Sequence, residues 1–142
     1  MQRKIKFRGK EVDTGKWVYG GLFKEPAPPQ CFEKTLEDKY WIVYPNPRYM
    51  PDWNLPYQMV RTDVDKDTIG QYTGLKDKNG IEIYEGDIVK FRFKEDREEF
   101  PDLIGYIEYQ STFAAFIIMS NQGSFKIDIT EIKFIEVIGN IY

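Results

Sequence analysis

The chain has 142 residues, of which 42% are hydrophobic and 30% charged, with a net charge of −3. That is enough apolar material for a core in one compact domain or two small lobes. With no histidine and a single cysteine, Cys31, the chain lacks imidazole nucleophile triads, His-ligated zinc, Cys-rich metal clusters and an internal disulfide.

Three further absences follow from the same reading. No apolar run approaches the roughly 20 residues needed to cross a bilayer. The start, Met1 to Lys6, is basic but lacks the apolar segment of a signal peptide. No Gly-rich phosphate loop is present either. The expectation is a non-enzymatic, cytoplasmic protein with no cofactor, no bound metal and no membrane association.

In chain order, the first element expected is a strand in which Ile5 and Phe7 face a core while Lys4, Lys6, Arg8 and Lys10 line the outer face. Such a row of cations is either a solvated edge that discourages aggregation or a grip for phosphate. Asp13-Thr14-Gly15 marks a turn into a second strand, Lys16 to Phe23, giving an N-terminal hairpin. Residues 26–56 hold seven of the eight prolines, so regular helix or central strand is not expected over most of that stretch. Within it, Tyr40 to Tyr44 reads as a five-residue strand and Phe32 to Leu36 as one turn of helix. Tyr49, Trp53 and Tyr57 either fill space under a long loop or form an exposed recognition surface.

Residues 68–89 carry two tight-turn signals. Asn79-Gly80 suits a type I′ hairpin turn. Lys76, Asp77 and Lys78 before it read as a solvated hairpin tip. Beyond it, Ile81 and Ile83 share one face and Glu82 the other. Glu85-Gly86-Asp87 turns the chain into Ile88 to Lys94, where Val89, Phe91 and Phe93 alternate with Lys90, Arg92 and Lys94. That alternation predicts a strand with one buried and one wet face. After a charged loop at 95–102, strands are expected at Leu103 to Tyr109, with Leu103, Ile107 and Tyr109 on one face, and at Phe113 to Met119, apolar throughout and buried on both faces. Phe125, Ile127 and Ile129 alternate again, a 3₁₀ turn is expected over Asp128 to Glu131, and Ile132 to Ile138 completes the series. Short antiparallel strands with such turns suit a small barrel.

The run Gly70-Gln-Tyr-Thr-Gly-Leu-Lys-Asp-Lys-Asn-Gly80, followed by Ile83-Tyr-Glu-Gly-Asp-Ile-Val89, resembles the signature of YopX-family proteins of phages and prophages. Ile5 to Gly9, Trp17 to Gly20 and Glu136 to Tyr142 extend the resemblance to both ends, leaving roughly residues 25 to 60 unmatched. The resemblance implies a mostly β protein with an SH3-like barrel in its C-terminal half, and it implies no activity. The resemblance also implies that relatives usually continue past the final Ile-Tyr with a short acidic, leucine-containing tail, whose role is not carried over to a sequence ending at Tyr142. The expected organisation is therefore mainly β. Residues 1–66 hold the β-hairpin and the proline- and aromatic-rich segment, and residues 67–142 an SH3-like small β-barrel.

Charge is uneven along the sequence. Residues 1–66 carry 12 Lys+Arg against 9 Asp+Glu, and residues 67–142 carry 8 against 14. The acidic second half is a poor platform for a nucleic-acid backbone. Glu82, Glu85 and Asp87 form the tightest acidic group, and Asp87 is expected to bind turn amides in preference to a metal. Tyr72 and Tyr84, bracketing the hairpin, have two available roles, stacking on a partner and packing under the turn, the latter being the commoner. The expected function is a phage accessory, non-catalytic protein-interaction module, with self-association as one form of it. The alternative is a nucleic-acid-binding module using Lys4, Lys6, Arg8 and Lys10. The candidate contact residues are those four with Tyr72, Tyr84 and Trp53.

Overall fold

The computed structural model describes residues 4–29, 36–48, 58–94, 101–126 and 132–142. The chain divides into two compact units, one comprising Ile5–Gly70 and the other Met1–Lys4 with Gln71–Tyr142. Both are built of antiparallel strands, and no α-helix occurs among the described residues.

In the first unit, β1 (Phe7–Lys10), β2 (Trp17–Glu25), β3 (Lys39–Pro45) and β4 (Met59–Asp63) lie side by side in the order β4-β3-β2-β1. The expected turn between β1 and β2 is present, with Gly15 at φ +66° donating its N–H to the Glu11 carbonyl at 2.8 Å. Antiparallel partners share a face. Register pairs Arg8 with Tyr19, Lys10 with Trp17, Phe23 with Trp41 and Val43 with Arg61, so these side chains fall on one face of the sheet. The opposite face carries the unit's apolar packing around Ile42, which is fully buried, and Tyr44 Oη lies 3.0 Å from Thr62 Oγ1 there. A single 3₁₀ turn, Lys66–Thr68, is fastened to the end of β1 by the Lys10 N–H, which donates to Thr68 Oγ1 at 2.8 Å.

Three expectations for this unit are corrected. Ile5 precedes the first strand and is exposed, so it is not a core residue. Arg8 is only 6% exposed instead of lining a wet face, and its guanidinium carbon sits 4.4 Å over the Trp17 ring. A planar, weakly hydrated guanidinium tolerates burial against an indole, which an ammonium would not. Strand β4 was not anticipated. Its five residues, in which Val60 and Thr62 alternate with Arg61 and Asp63, carry too weak an apolar signal to read as a strand. The helical turn at 32–36 falls almost wholly outside the described residues, as do Tyr49, Trp53, Tyr57, Cys31 and the 3₁₀ turn at 128–131.

In the second unit, β5 (Gly70–Lys76) and β6 (Glu82–Tyr84) form a hairpin. The strands β7 (Asp87–Phe93), β8 (Leu103–Gln110), β9 (Ala115–Ser120), β10 (Gly123–Lys126) and β11 (Ile132–Asn140) form a five-stranded antiparallel sheet ordered β10-β9-β8-β7-β11. The alternation anticipated in β7 holds, with Val89 and Phe91 fully buried and Lys90 and Arg92 on the other side. Ile83, Val89, Phe91, Ile107, Ile118, Ile132 and Ile135 make the core. Phe91, Phe93 and Phe125 stack edge to face or tilted at 5.2–5.8 Å.

The expected barrel does not close among the described residues. β10 and β11 are the two edges of the sheet and do not pair. What closure would have sealed is covered instead by the hairpin, whose Ile83 and Leu75 join the core. β9 also begins later than expected, because Ala114 adopts φ +48° and Phe113 is exposed. Within the strand, Ile117 and Ile118 are both buried, as a strand covered on two sides requires.

The hairpin turn differs from the expected type I′, which needs positive φ at both central residues. Here only Gly80 is left-handed, at φ +83°. The Gly80 N–H donates to the Asp77 carbonyl at 3.0 Å and the Asp77 N–H to the Ile81 carbonyl at 2.7 Å, a type I turn followed by a glycine bulge. Asp77 is the reason. It is 7% exposed, not the solvated tip residue expected. Its Oδ1 accepts the N–H groups of Asn79 at 2.8 Å and Ile81 at 2.9 Å, and its Oδ2 accepts Val137 N–H from β11 at 3.1 Å.

Burial pushes the Asp77 carboxyl up, but the three amide donors and Lys78 together outweigh it and hold the group below its ordinary value. A depressed folded pKa contributes stability above the unfolded pKa of about 3.9, and that stability is lost as pH falls through the lower folded value. Asp77→Ala is expected to reduce the unfolding free energy by about 3 kcal/mol near neutral pH. In urea titrations, the gap between wild type and Asp77→Asn should narrow as pH drops below about 4.

Gly86 and Gly80 share φ +83°, but an added Cβ at Gly86 would lie 2.5 Å from the Tyr142 ring while Gly80 faces open space. Gly80→Ala should therefore cost about 1 kcal/mol from backbone strain alone. Gly86→Ala should cost somewhat more, about 1.5–2 kcal/mol, because the exposed Tyr142 ring must also swing aside. Equal losses in thermal melts would contradict the close approach.

Candidate binding surfaces

The acids that look most like a reactive cluster are engaged by backbone amides, a hydroxyl and a lysine. Asp87 is buried, and its Oδ2 accepts the Tyr84 N–H at 2.8 Å, as the turn reading anticipated. Glu82 accepts the Tyr84 hydroxyl at 2.7 Å and pairs with Lys4 at 3.4 Å. Glu85 Oε1 accepts the Tyr109 N–H at 3.4 Å. Among the described residues no three acids converge in the way a cation site requires.

Of the candidate contact residues, Tyr72 and Tyr84 are buried and pack on each other with ring centroids 5.5 Å apart, which leaves neither face open to a partner. Trp53 lies outside the described residues. Lys4 belongs to the second unit and is ion-paired there, and Arg8 is buried. The basic N-terminal strand is therefore not a continuous exposed row. Lys6 and Lys10 remain at the surface of the first unit, but each lies over an aromatic ring.

Those rings define the first surface. On the face shared by β1 to β4, Lys6 Nζ lies 5.4 Å from the Tyr19 ring centre and Lys10 Nζ 5.4 Å from that of Trp17, which also carries Arg8. Arg61 lies 4.2 Å and Lys39 5.8 Å from Trp41. The Trp41 indole N–H donates to Glu25 Oε2 at 2.7 Å, and the same oxygen is 3.8 Å from Arg61. Each cation–ring pair stabilises by about 0.5–1 kcal/mol when exposed, and more when desolvated. Tyr19 (42% exposed) and Phe23 (50%) stand out from this face. On the reverse face Lys24 lies over Tyr40 and 2.7 Å from Asp38, whose hydrogen bond raises the Lys24 pKa and lowers that of Asp38.

The second surface belongs to the five-stranded sheet, on the side away from its core. One end is charged: Glu136 pairs with Lys78 at 2.8 Å and with Lys90 at 3.4 Å, and Arg92 with Asp102 at 2.5 Å. The hydrogen bond from Lys78, reinforced by Lys90, holds the Glu136 carboxyl below its ordinary range. The other end is apolar. Ile88, Ile104, Tyr106, Met119 and Ile141 line an open groove of about 690 Å³. Ile88 pairs with Tyr106, and Tyr106 with Met119, so the apolar groups sit side by side across three strands.

The sequence reading did not single out Trp17, Tyr19, Phe23, Trp41 and Arg61 as one surface, because their grouping depends on the pairing of β1 to β4. The groove was also missed. Its available signal was Ile104 and Tyr106, apolar residues at positions where Lys90 and Arg92 mark the wet face of the neighbouring strand.

No curated protein matches the chain. Among solved structures, the crystal structure of protein EF1440 from Enterococcus faecalis is similar at 19% identity and a TM-score of 0.41, covering 99% of this chain and 94% of that one. The family described as YopX protein matches residues 6–142, and with essentially the whole length covered the chain belongs to the YopX family.

Proposed function

We propose that this YopX-family chain is a non-catalytic protein-interaction module whose second unit receives an apolar segment of a partner polypeptide. The supporting observation is the open groove on the outer face of the five-stranded sheet, where Ile104 is 55% exposed beside Tyr106 and Ile141. Isolated exposed apolar residues need no explanation, but a contiguous trough of them marks a contact surface. Its volume falls in the range of about 300–1,000 Å³ that accommodates a few side chains. Asp102, the charged residue among those lining the trough, is paired with Arg92 and Lys90. The acids of the hairpin region support the non-catalytic part of the reading, since their oxygens are occupied by amides, a hydroxyl and a lysine. Together with the resemblance to phage and prophage proteins, the reading is of an accessory protein acting in the cytoplasm of a bacterial host.

Selection of displayed random peptides on the purified chain should enrich apolar and aromatic sequences, and Ile104→Glu should abolish the enrichment by at least tenfold. Ile104 is exposed, so that variant should retain the wild-type melting profile. Light scattering at high concentration distinguishes a second copy of the chain as the occupant: the wild type would then exceed the monomer mass and Ile104→Glu would not. Equal peptide recovery on both proteins would remove the groove from consideration.

A further inference from the structure

We propose that Asn79 is a site of spontaneous deamidation, and that its conversion to isoaspartate releases the tip of the β5–β6 hairpin from β11. The inference is independent of the groove and concerns a modification that the chain carries out on itself.

The chemistry starts from the sequence. Asparagine is thermolabile because the backbone nitrogen of the next residue can attack its side-chain carbonyl carbon. Of the five asparagines only Asn79 precedes a glycine, the others preceding Pro47, Leu55, Gln122 and Ile141. Glycine has no Cβ to obstruct the approach, and Gly80 faces open space. Both residues are exposed, so water and hydroxide reach them. Water is the one co-reactant the change needs. The Gly80 nitrogen gives its proton to solvent and bonds to Asn79 Cγ, the Cγ–Nδ2 bond breaks, and ammonia leaves. A water molecule then opens the five-membered imide. Attack at the main-chain carbonyl routes the backbone through Cβ and Cγ, which is isoaspartate, and attack at Cγ gives aspartate.

The fold sets the rate. Asn79 occupies the turn position whose ψ is roughly 0°, whereas ring closure needs the Gly80 nitrogen eclipsed with Cβ, roughly 120° of rotation away at a tetrahedral carbon. The Gly80 N–H also donates to the Asp77 carbonyl at 3.0 Å, and the Asn79 N–H to Asp77 Oδ1 at 2.8 Å. Reaction therefore waits for the turn to open, and Asp77 resists the opening. The same bonds give the product its effect. Isoaspartate adds a backbone atom between the amides of Asn79 and Ile81, which share Asp77 Oδ1 at 2.8 and 2.9 Å. The carboxylate can no longer hold both and still accept the Val137 N–H, 3.1 Å from its Oδ2, and that bond ties the turn to β11. Because the change is one-way, it acts as a clock on the folded second unit.

The test ages the full chain in mildly alkaline buffer, folded and in urea. Tryptic mapping by mass follows the change from amide to acid, and enzymatic methylation identifies isoaspartate. Isoaspartate is expected at residue 79 ahead of every other asparagine, with the folded chain about 10- to 100-fold slower than the unfolded one, the range set by local opening. Asp77→Asn, shown to be folded by circular dichroism, should convert about threefold faster than folded wild type or more. In urea, where the turn plays no part, Gly80→Ala should convert about tenfold slower than wild type, because its methyl group hinders the attack. By hydrogen exchange, the Val137 amide should lose protection in the isolated isoaspartate form and keep it in Asn79→Asp, which adds a charge but no backbone atom. The proposal is overturned if the folded chain shows no isoaspartate at residue 79 after about 100 half-lives of the unfolded chain. Equal rates in the folded and unfolded states would overturn it too, as would an isoaspartate form with wild-type protection at Val137. Should Asp77→Asn not fold, the comparison of folded with urea-unfolded wild type still decides.

Discussion

A single buried carboxylate, that of Asp77, organises the second unit. A charged oxygen pair taken out of water is costly unless its lone pairs are filled, and here three backbone N–H groups fill them. Two of those donors belong to the turn itself and set its geometry. The third, from Val137, belongs to β11, and Lys78 N–H adds a bond to the Ile135 carbonyl of the same strand at 3.0 Å. The hairpin tip is thereby fixed to the edge strand of the sheet. Without that attachment, Ile83 and Leu75 would not be held over Val89, Phe91 and Ile135, and the core would lie open on one side.

The same device recurs one turn later. Asp87 accepts the Tyr84 N–H, and the intervening Gly86 donates to the Ile107 carbonyl at 2.8 Å while its own carbonyl accepts Ile141 N–H at 2.9 Å. Two short turns therefore join β6, β7, β8 and the C-terminal residues through backbone groups that would otherwise be orphaned. Once the backbone is satisfied and the core is filled by the inward residues of each strand, the remaining apolar side chains have only outward positions. Ile104 and Tyr106 are outward for that geometric reason. Their being gathered with Ile88 and Met119, instead of scattered, is the part that burial alone does not require.

Strand content was legible wherever alternation was clean, as in β7, where every second residue from Val89 is apolar, and wherever a glycine turn bounded a run, as at Gly15. Legibility failed where the deciding interaction was non-local. Asp77 reads as a solvated lysine neighbour until Val137, sixty residues on, is known to donate to it. Arg8 reads as one more outward cation until pairing with β2 sets Trp17 beside it. Barrel closure was inferred from strand number and spacing, but those quantities do not specify which edges pair, and the hairpin supplies the cover that closure would have given. The contact surfaces suffered most. Tyr72 and Tyr84 were visible as a pair of rings at a turn, yet pair burial depends on the register of β5 with β6. The exposed rings Tyr19 and Phe23 were embedded in an ordinary-looking strand.

This pattern bears on where function can reside. In the hairpin region the acids with the most conspicuous spacing have specific structural employment, and redirecting Asp77 or Asp87 to a ligand would first break a turn. A ligand for this chain is more economically met by side chains whose removal leaves the fold intact. Phe23, Ile104 and Tyr106 satisfy that condition by exposure. The two surfaces also differ in kind. One interleaves cations with rings, while the other gathers paired charges at one end and leaves a largely apolar trough at the other.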